Sequence, residues 1–431
     1  MDQQAITLNA TIREQNGFLY EMLSGRGKNI FFPKLGILSQ SAQAKGKKIN
    51  ATIGEAIEDN GTSMHLSAFD QMIKLNSSSV YPYAPSFGKK ELRDQWREFI
   101  YAKNPSLGQR EISTPIATNG LTHGISIASY MFVDEGDTVI VPDLFWENYS
   151  LIFENAYWGK ILNFPLFSNG GFNLRGLKEA MDKSEGKIIL MLNFPNNPSG
   201  YTPLNHEIEG IVSLISEQAA SGKNVVVLID DAYFGLVYEE GVYKESIFTK
   251  LSDLSEKVLA VKLDGPTKED YVWGFRVGFV TYGIKNGTTA LYEAMENKTA
   301  GAVRGNISNI SHLSQSLLQE VYLSEQYYSD KQHKYEVLKE RYSTIRNILA
   351  DKKYSKYFEA LPFNSGYFMC ISLKEGLVAE DIRKILLEKY STGVIVLGNV
   401  IRLAFSAVPK SQIPQLVENI YMACQDFKNE N

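Results

Sequence analysis

The chain has 431 residues, 44% of them hydrophobic, which suits a sizeable core and is too long for one small domain. A net charge of −5 and a pI near 5.7 argue against nucleic acid or an anionic membrane as partner. No apolar run reaches the ~20 residues of a bilayer span, two cysteines (Cys370 and Cys424) exclude a disulfide framework, and the MDQQ start lacks a secretory pattern, so a soluble cytoplasmic protein is expected.

In chain order, the first organised signal is a glycine-containing turn, Thr118-Asn119-Gly120-Leu121-Thr122-His123-Gly124, ahead of an apolar helical pattern over 125–132. Four β-branched, apolar runs follow: 137–142 (DTVIVP), 187–193 (KIILMLN), 224–231 (NVVVLIDD) and 257–264 (KVLAVKLD). Runs that are apolar on successive residues suit strands buried on both faces. Intervening stretches such as 204–222 are long enough for crossover helices, so the alternation predicts an α/β domain with a mostly parallel sheet. Residues 311–349 have helical periodicity and few breakers, which predicts one long helix. Short strands are expected at 354–359, 367–372 and 400–405. The resulting division is a large domain over 60–320 and a smaller α+β domain from 1–59 and 321–431.

Ligands of an open parallel sheet bind beyond the carboxyl ends of its strands. The four runs deliver Phe145-Trp146, then 193–198 (NFPNNP), then Asp230-Asp231-Ala232-Tyr233, then Gly265-Pro266-Thr267-Lys268 to that edge. Singly each has an ordinary explanation: a surface lysine, an Asn-Pro turn, an aspartate capping a helix. Their joint order is much harder to obtain by chance.

These residues carry a resemblance to the class I/II aminotransferases of the aspartate aminotransferase type, fold-type I enzymes dependent on pyridoxal 5′-phosphate (PLP). It covers about residues 50–405. Lys268 stands eight residues before Arg276 in Trp273-Gly274-Phe275-Arg276-Val277-Gly278-Phe279, as the family's Schiff-base lysine stands before its phosphate-binding arginine. Asn197-Pro198-Ser199-Gly200 is similar to the family's Asn-Pro-Thr-Gly, and Asp230-Asp231-Ala232-Tyr233 to its Asp-x-Ala-Tyr. Tyr83-Ala84-Pro85-Ser86-Phe87-Gly88 runs into Glu91-Leu92-Arg93 as the family's Tyr-x-Pro element does, and Arg402 stands where the family binds the substrate carboxylate.

The resemblance implies a transaminase moving the amino group of an L-amino acid to a 2-oxo acid, with PLP as a Schiff base on Lys268. Lys268 would then be general base and acid, a task a desolvated lysine suits. Lys262, the competing lysine, lies mid-strand without the arginine spacing. Asp230 would pair with the pyridine nitrogen, leaving Asp231, on the other face of the strand, as a helix cap or surface charge. Asn197 and Tyr233 would bond the cofactor's phenolic oxygen, and Trp146 would stack on its ring unless it is ordinary core. Gly120, Leu121 and Thr122 at a helix start, with Arg276 and Thr267, would cradle the phosphate. Tyr83 would reach the phosphate of a neighbouring subunit, which implies a homodimer with shared active sites. Arg402 would clamp the substrate α-carboxylate near Gly54. Arg304 resembles in position a family arginine that grips a distal carboxylate across the dimer, the alternative being a structural or interface role.

Two departures stand out. Gly265 replaces a common phosphate-binding serine, for which Thr267 is the candidate substitute, and Pro142-Asp143-Leu144 replaces a Pro-x-Pro. Competing functions are another reaction on the same scaffold (β-lyase, decarboxylase or cyclising synthase) and a non-catalytic ligand-binding regulator. The latter calls for an N-terminal helix-turn-helix domain, for which there is no room before Gly54.

Overall fold

Aliphatic runs that leave no polar face build the centre of the fold. A computed structural model describes residues 1–31, 36–70 and 75–430. Its principal sheet comprises β1 (Ile116–Thr118), β2 (Thr138–Pro142), β3 (Lys160–Phe164), β4 (Ile188–Asn193), β5 (Val225–Asp230), β6 (Val258–Asp264) and β7 (Gly278–Gly283), in the spatial order β1-β7-β6-β5-β4-β2-β3. All pairings are parallel except those of β7, which runs antiparallel to both β1 and β6. Every residue of β4 and β5 is buried, as continuous apolar runs require. The four predicted runs are β2, β4, β5 and β6; β1, β3 and β7 lack such runs and were not anticipated.

Helices α1 (Lys90–Lys103), α2 (Gly120–Phe132), α3 (Asn205–Ala220) and α4 (Thr289–Ile307) belong with this sheet, and α5 (His312–Tyr322) and α6 (Gln326–Leu349) follow it. The predicted single helix over 311–349 is therefore two, interrupted at 323–325. No proline or glycine breaks it. The hydroxyls of Tyr322 and Tyr327 both donate to Asp270, at 2.8 Å each. Residues five apart on a continuous helix point about 140° apart, so the interruption lets both reach one carboxylate.

A second, antiparallel sheet has the order β8 (Phe358–Ala360), β9 (Phe368–Leu373), β11 (Val400–Ala404), β10 (Ile395–Leu397). The strand expected at 354–359 begins as a 3-10 turn, Tyr354–Lys356, and only then extends into β8. Residues 49–51 join this part of the molecule: Ile49–Asn50 pairs in parallel with Thr392–Gly393, and Ala404 N–H donates to Ala51 O at 2.9 Å. Arg26 and Asn29 meet the principal-sheet side instead, Asn29 Nδ2 donating to Asn155 Oδ1 at 2.8 Å and the Arg26 guanidinium lying 5.1 Å from the Trp158 ring centroid. Both cysteines are buried free thiols. Among the described residues no helix is long and apolar enough to cross a membrane.

Candidate active site

The carboxyl ends of β4, β5 and β6 open into a cavity of about 470 Å³. Gly54, Leu121, Thr122, Trp146, Asn197, Asp230, Tyr233, Thr267, Lys268, Arg276 and Arg402, all singled out from the sequence, line it. Gly120 stands at its edge against Arg276. Tyr83 is 90% exposed and Arg304 is exposed on α4; neither lines this cavity.

Alternation along β5 separates the two aspartates. Asp230 lines the cavity and Asp231 enters the core on the other face. Asp231 is neither a helix cap nor a surface charge, as the sequence had suggested. It is 3% exposed, ion-paired with Lys262 and bonded by the Ser246 hydroxyl at 2.6 Å. Lys262 Nζ also lies 3.2 Å from Asp264, whose Oδ1 accepts the Trp96 indole N–H at 3.0 Å. Burial works against the Lys262 charge, but Asp231 and Asp264 outweigh it and raise the pKa. Lys262 is thus committed to the core as a permanent cation.

Lys268 is in the opposite situation. Its Nζ lies 5.0 Å from the Tyr233 ring centroid, and burial lowers its pKa; Asp230 opposes this and Arg276 adds to it. Its main-chain oxygen accepts the Tyr367 hydroxyl at 3.1 Å, which pins the backbone. Asp230 is held from two directions, Oδ2 accepting the buried Tyr149 hydroxyl at 2.5 Å and Oδ1 the Ala232 N–H at 3.1 Å. Burial raises the Asp230 pKa, while Tyr149 and Lys268 pull it back down. Burial also raises Tyr149, which therefore stays a neutral donor. Sequence reasoning missed Tyr149; its only signal was a position one turn beyond Trp146.

The turn before Lys268 explains one departure. A Cβ on Gly265 would lie 2.8 Å from Gly278 Cα and 3.0 Å from Val277 O, so a serine has no room there. Thr267 is 4% exposed and its Oγ1 has no hydrogen-bond partner. Opposite it, Gly120 has φ +76°, and a Cβ there would meet Arg276 Nη2 at 2.6 Å. Arg276 has φ +54°, a left-handed conformation uncommon for a side chain of its size. An unpaired hydroxyl, a guanidinium and the positive end of α2 thus face one space, a combination suited to an anion.

On the far wall, Arg402 is 3% exposed. Its Nη2 donates to Thr52 O at 2.9 Å and Nη1 to Asn197 Oδ1 at 3.4 Å, its Nε is unpartnered, and its guanidinium lies 4.4 Å from the Phe368 ring centroid. Asn193, also not singled out as a site residue, braces both neighbours: its amide donates to Asp230 O at 2.8 Å and its Oδ1 accepts Asn197 N–H at 2.7 Å. Trp273, with an unpartnered buried indole N–H, and Ile37, Leu38 and Ser41 of the N-terminal segment also line the cavity and were given no site role from the sequence.

The fold is that of the fold-type I PLP transferases: a large, mostly parallel sheet domain with a smaller α+β companion. It superposes on an aminotransferase from Anaerococcus prevotii with a TM-score of 0.83 and 26% identity, covering 93% of this chain and 98% of that one. On the cytoplasmic aspartate aminotransferase of Saccharomyces cerevisiae the TM-score is 0.74 at 19% identity, with 95% and 100% covered. The family description "Aminotransferase class I and II" matches residues 46–420, and the chain belongs to that family. A probable N-acetyl-LL-diaminopimelate aminotransferase of Bacillus subtilis is 30% identical over 234 residues, 54% of each chain, so the match spans about half the length of that curated relative.

Proposed function

We propose that this chain is a PLP-dependent aminotransferase that moves the amino group of an L-amino acid to a 2-oxo acid. The observation that carries the proposal is the pairing of Lys268, its charge weakened by burial, with an anion cradle formed by Thr267, Arg276 and the start of α2. Thr267 Oγ1, Arg276 and the N–H groups of Gly120, Leu121 and Thr122 fit a phosphate. Asp230 fits a pyridinium, Trp146 would cover the ring, and Asn197 and Tyr233, which line the same cavity, would bond its phenolic oxygen. PLP held on Lys268 would supply an electron sink conjugated to the substrate nitrogen.

The chain's own residues do the rest. Arg402 binds the α-carboxylate, so that the α-carbon proton is presented to Lys268. The Lys268 amine would move the α-carbon proton, first as base and then as acid. Asp230, whose charged form burial disfavours and the Tyr149 hydroxyl favours, would hold the charge that makes the ring electron-poor. The same reading assigns 60–320 to the large domain and 1–59 with 321–431 to the small one. It also makes Tyr83 a phosphate ligand of a neighbouring subunit in a cytoplasmic homodimer, and Arg304 a grip on a distal carboxylate.

The test is the visible spectrum of the purified protein with PLP before and after a panel of L-amino acids. A lysine-linked band absent from Lys268→Ala, and converted to the pyridoxamine form by particular donors, is expected. No such band in the wild type would overturn the cofactor; a band no amino acid converts would overturn the transaminase. Arg304→Ala should weaken aspartate and spare an aromatic donor; an equal effect on both removes the distal-carboxylate role.

A further inference from the structure

The two residues after Lys268 are both acidic and both turned away from the cleft. Glu269 and Asp270 are 4% and 0% exposed. Glu269 Oε1 takes Lys103 Nζ of α1 at 2.5 Å and Lys331 Nζ of α6 at 2.9 Å. Asp270 Oδ1 takes the same Lys331 ammonium at 2.9 Å and the Tyr327 hydroxyl at 2.8 Å, and its Oδ2 the Tyr322 hydroxyl at 2.8 Å. Two carboxylates thus meet two ammoniums and two phenols drawn from three helices. The interruption between α5 and α6 is shaped around this carboxylate.

A buried ionic cluster contributes little stability beyond apolar packing of the same volume. What it does supply is a directional geometry in which each charge has an opposite partner, and further ion pairs follow along α6. Lys334 meets Glu58 at 2.5 Å; Arg341 meets Asp59 at 2.9 Å and donates to Ser406 O at 2.5 Å. Glu58 and Asp59 lie just beyond Gly54, and Ser406 just beyond Arg402. From Lys331 to Arg341 the helix rises ~15 Å. One rigid element therefore grips the turn that carries Lys268 at one point and the segments of the Arg402 wall at another.

We propose that Asp270 and Lys331 are positioning residues that tie the Lys268 turn to α6, so that the amine and the carboxylate-binding wall are held in one frame. The inference rests on the cofactor reading of Lys268. Without the tie, the cavity still binds substrate, but the amine no longer sits where the α-carbon proton is presented.

The test compares wild-type holoenzyme with Lys331→Met, the double variant Asp270→Asn/Lys331→Met, and Tyr327→Phe. Lys331→Met leaves two buried carboxylates facing one ammonium and should melt well below wild type. The double variant restores charge balance through Glu269 and Lys103 and should recover most of that loss. Its kcat is nevertheless expected to stay roughly ten- to a hundred-fold low, the penalty of a misplaced reacting group. KM should change less than about two-fold, and the induced circular dichroism of the bound cofactor should be altered. Tyr327→Phe, which keeps every charge, should show the same split at smaller size. Recovery of kcat and circular dichroism together with the melting temperature would overturn the proposal. If the double variant does not fold, an unchanged kcat and circular dichroism in Tyr327→Phe would do so. Borohydride reduction separates the two readings: a wild type unlabelled at Lys268 overturns the cofactor itself, whereas labelled variants with wild-type kcat and circular dichroism overturn only the positioning role.

Discussion

The two sides of the Lys268 turn treat buried polarity in opposite ways. On the core side, Asp231, Lys262 and Asp264 satisfy one another, as do Glu269, Asp270, Lys103 and Lys331. On the cleft side, Thr267 Oγ1, Trp273 Nε1 and Arg402 Nε are buried without partners. Each such orphan costs about 1–3 kcal/mol. The charged groups of the core side are paired within the chain, whereas the cleft-side groups line a cavity. Unpartnered atoms alone do not mark function, since Thr281 Oγ1, opposite Lys262, and Arg341 Nε are also buried without partners; what sets the cleft-side groups apart is the cavity they share.

The two lysines of this region give the sharpest break. Lys262→Met should cost about 3–5 kcal/mol of folding stability, because it strands two buried carboxylates without their cation. Lys268→Ala should leave the cofactor-free protein at least as stable as wild type, since it removes a desolvated amine, while abolishing activity. Urea unfolding of the two variants without cofactor tests this. Equal losses would mean that Lys268 is as structural as Lys262, and the contrast would fail.

A second, smaller effect belongs to the core side alone. Burial works against the Glu269 charge, but Lys103 and Lys331 outweigh it and hold the pKa at about 2 against an ordinary 4.5. A carboxylate with a depressed folded pKa stabilises fully above its unfolded value and loses that contribution as pH falls through its folded one. The Glu269 contribution is lost as pH falls from 4.5 towards the depressed folded value. Glu269→Gln should therefore flatten the acid limb of a stability-versus-pH curve. An unchanged acid limb would place the sensitivity elsewhere.

The same contrast shows what was legible in the sequence. The buried strands were, because parallel strands covered on both faces leave long aliphatic runs; β7 was not, since its six residues begin and end in glycine and carry a threonine and a tyrosine. The cavity lining was legible where a local motif spells it, as at Lys268, Arg276, Asp230 and Asn197. Tyr149 and Asn193 were not, because they reach Asp230 through tertiary approach, and nothing near them in the chain marks that partner. The fate of Asp231 was read correctly in direction and wrongly in destination. Strand alternation turned it from the cleft, but only the neighbouring strand reveals that Lys262 awaits it. The helix break at 323–325 escaped for a related reason: its cause is a carboxylate more than fifty residues upstream.

The smallest effect tests the cleft side directly. Thr267→Val keeps the β-branched shape and removes only the hydroxyl, so the packing of the turn should survive. In the cofactor-free protein the change deletes a buried unsatisfied group and should stabilise by about 1 kcal/mol. With PLP the sign reverses. A hydrogen bond to a charged phosphate contributes about 1.5–3 kcal/mol, so affinity should fall by roughly ten-fold or more. Opposite signs in the two states are the signature of a group held unpaired for a ligand. A purely structural threonine would shift both states in the same direction, and Gly265, which has no room for a serine, would then leave the phosphate to Arg276 and the start of α2 alone.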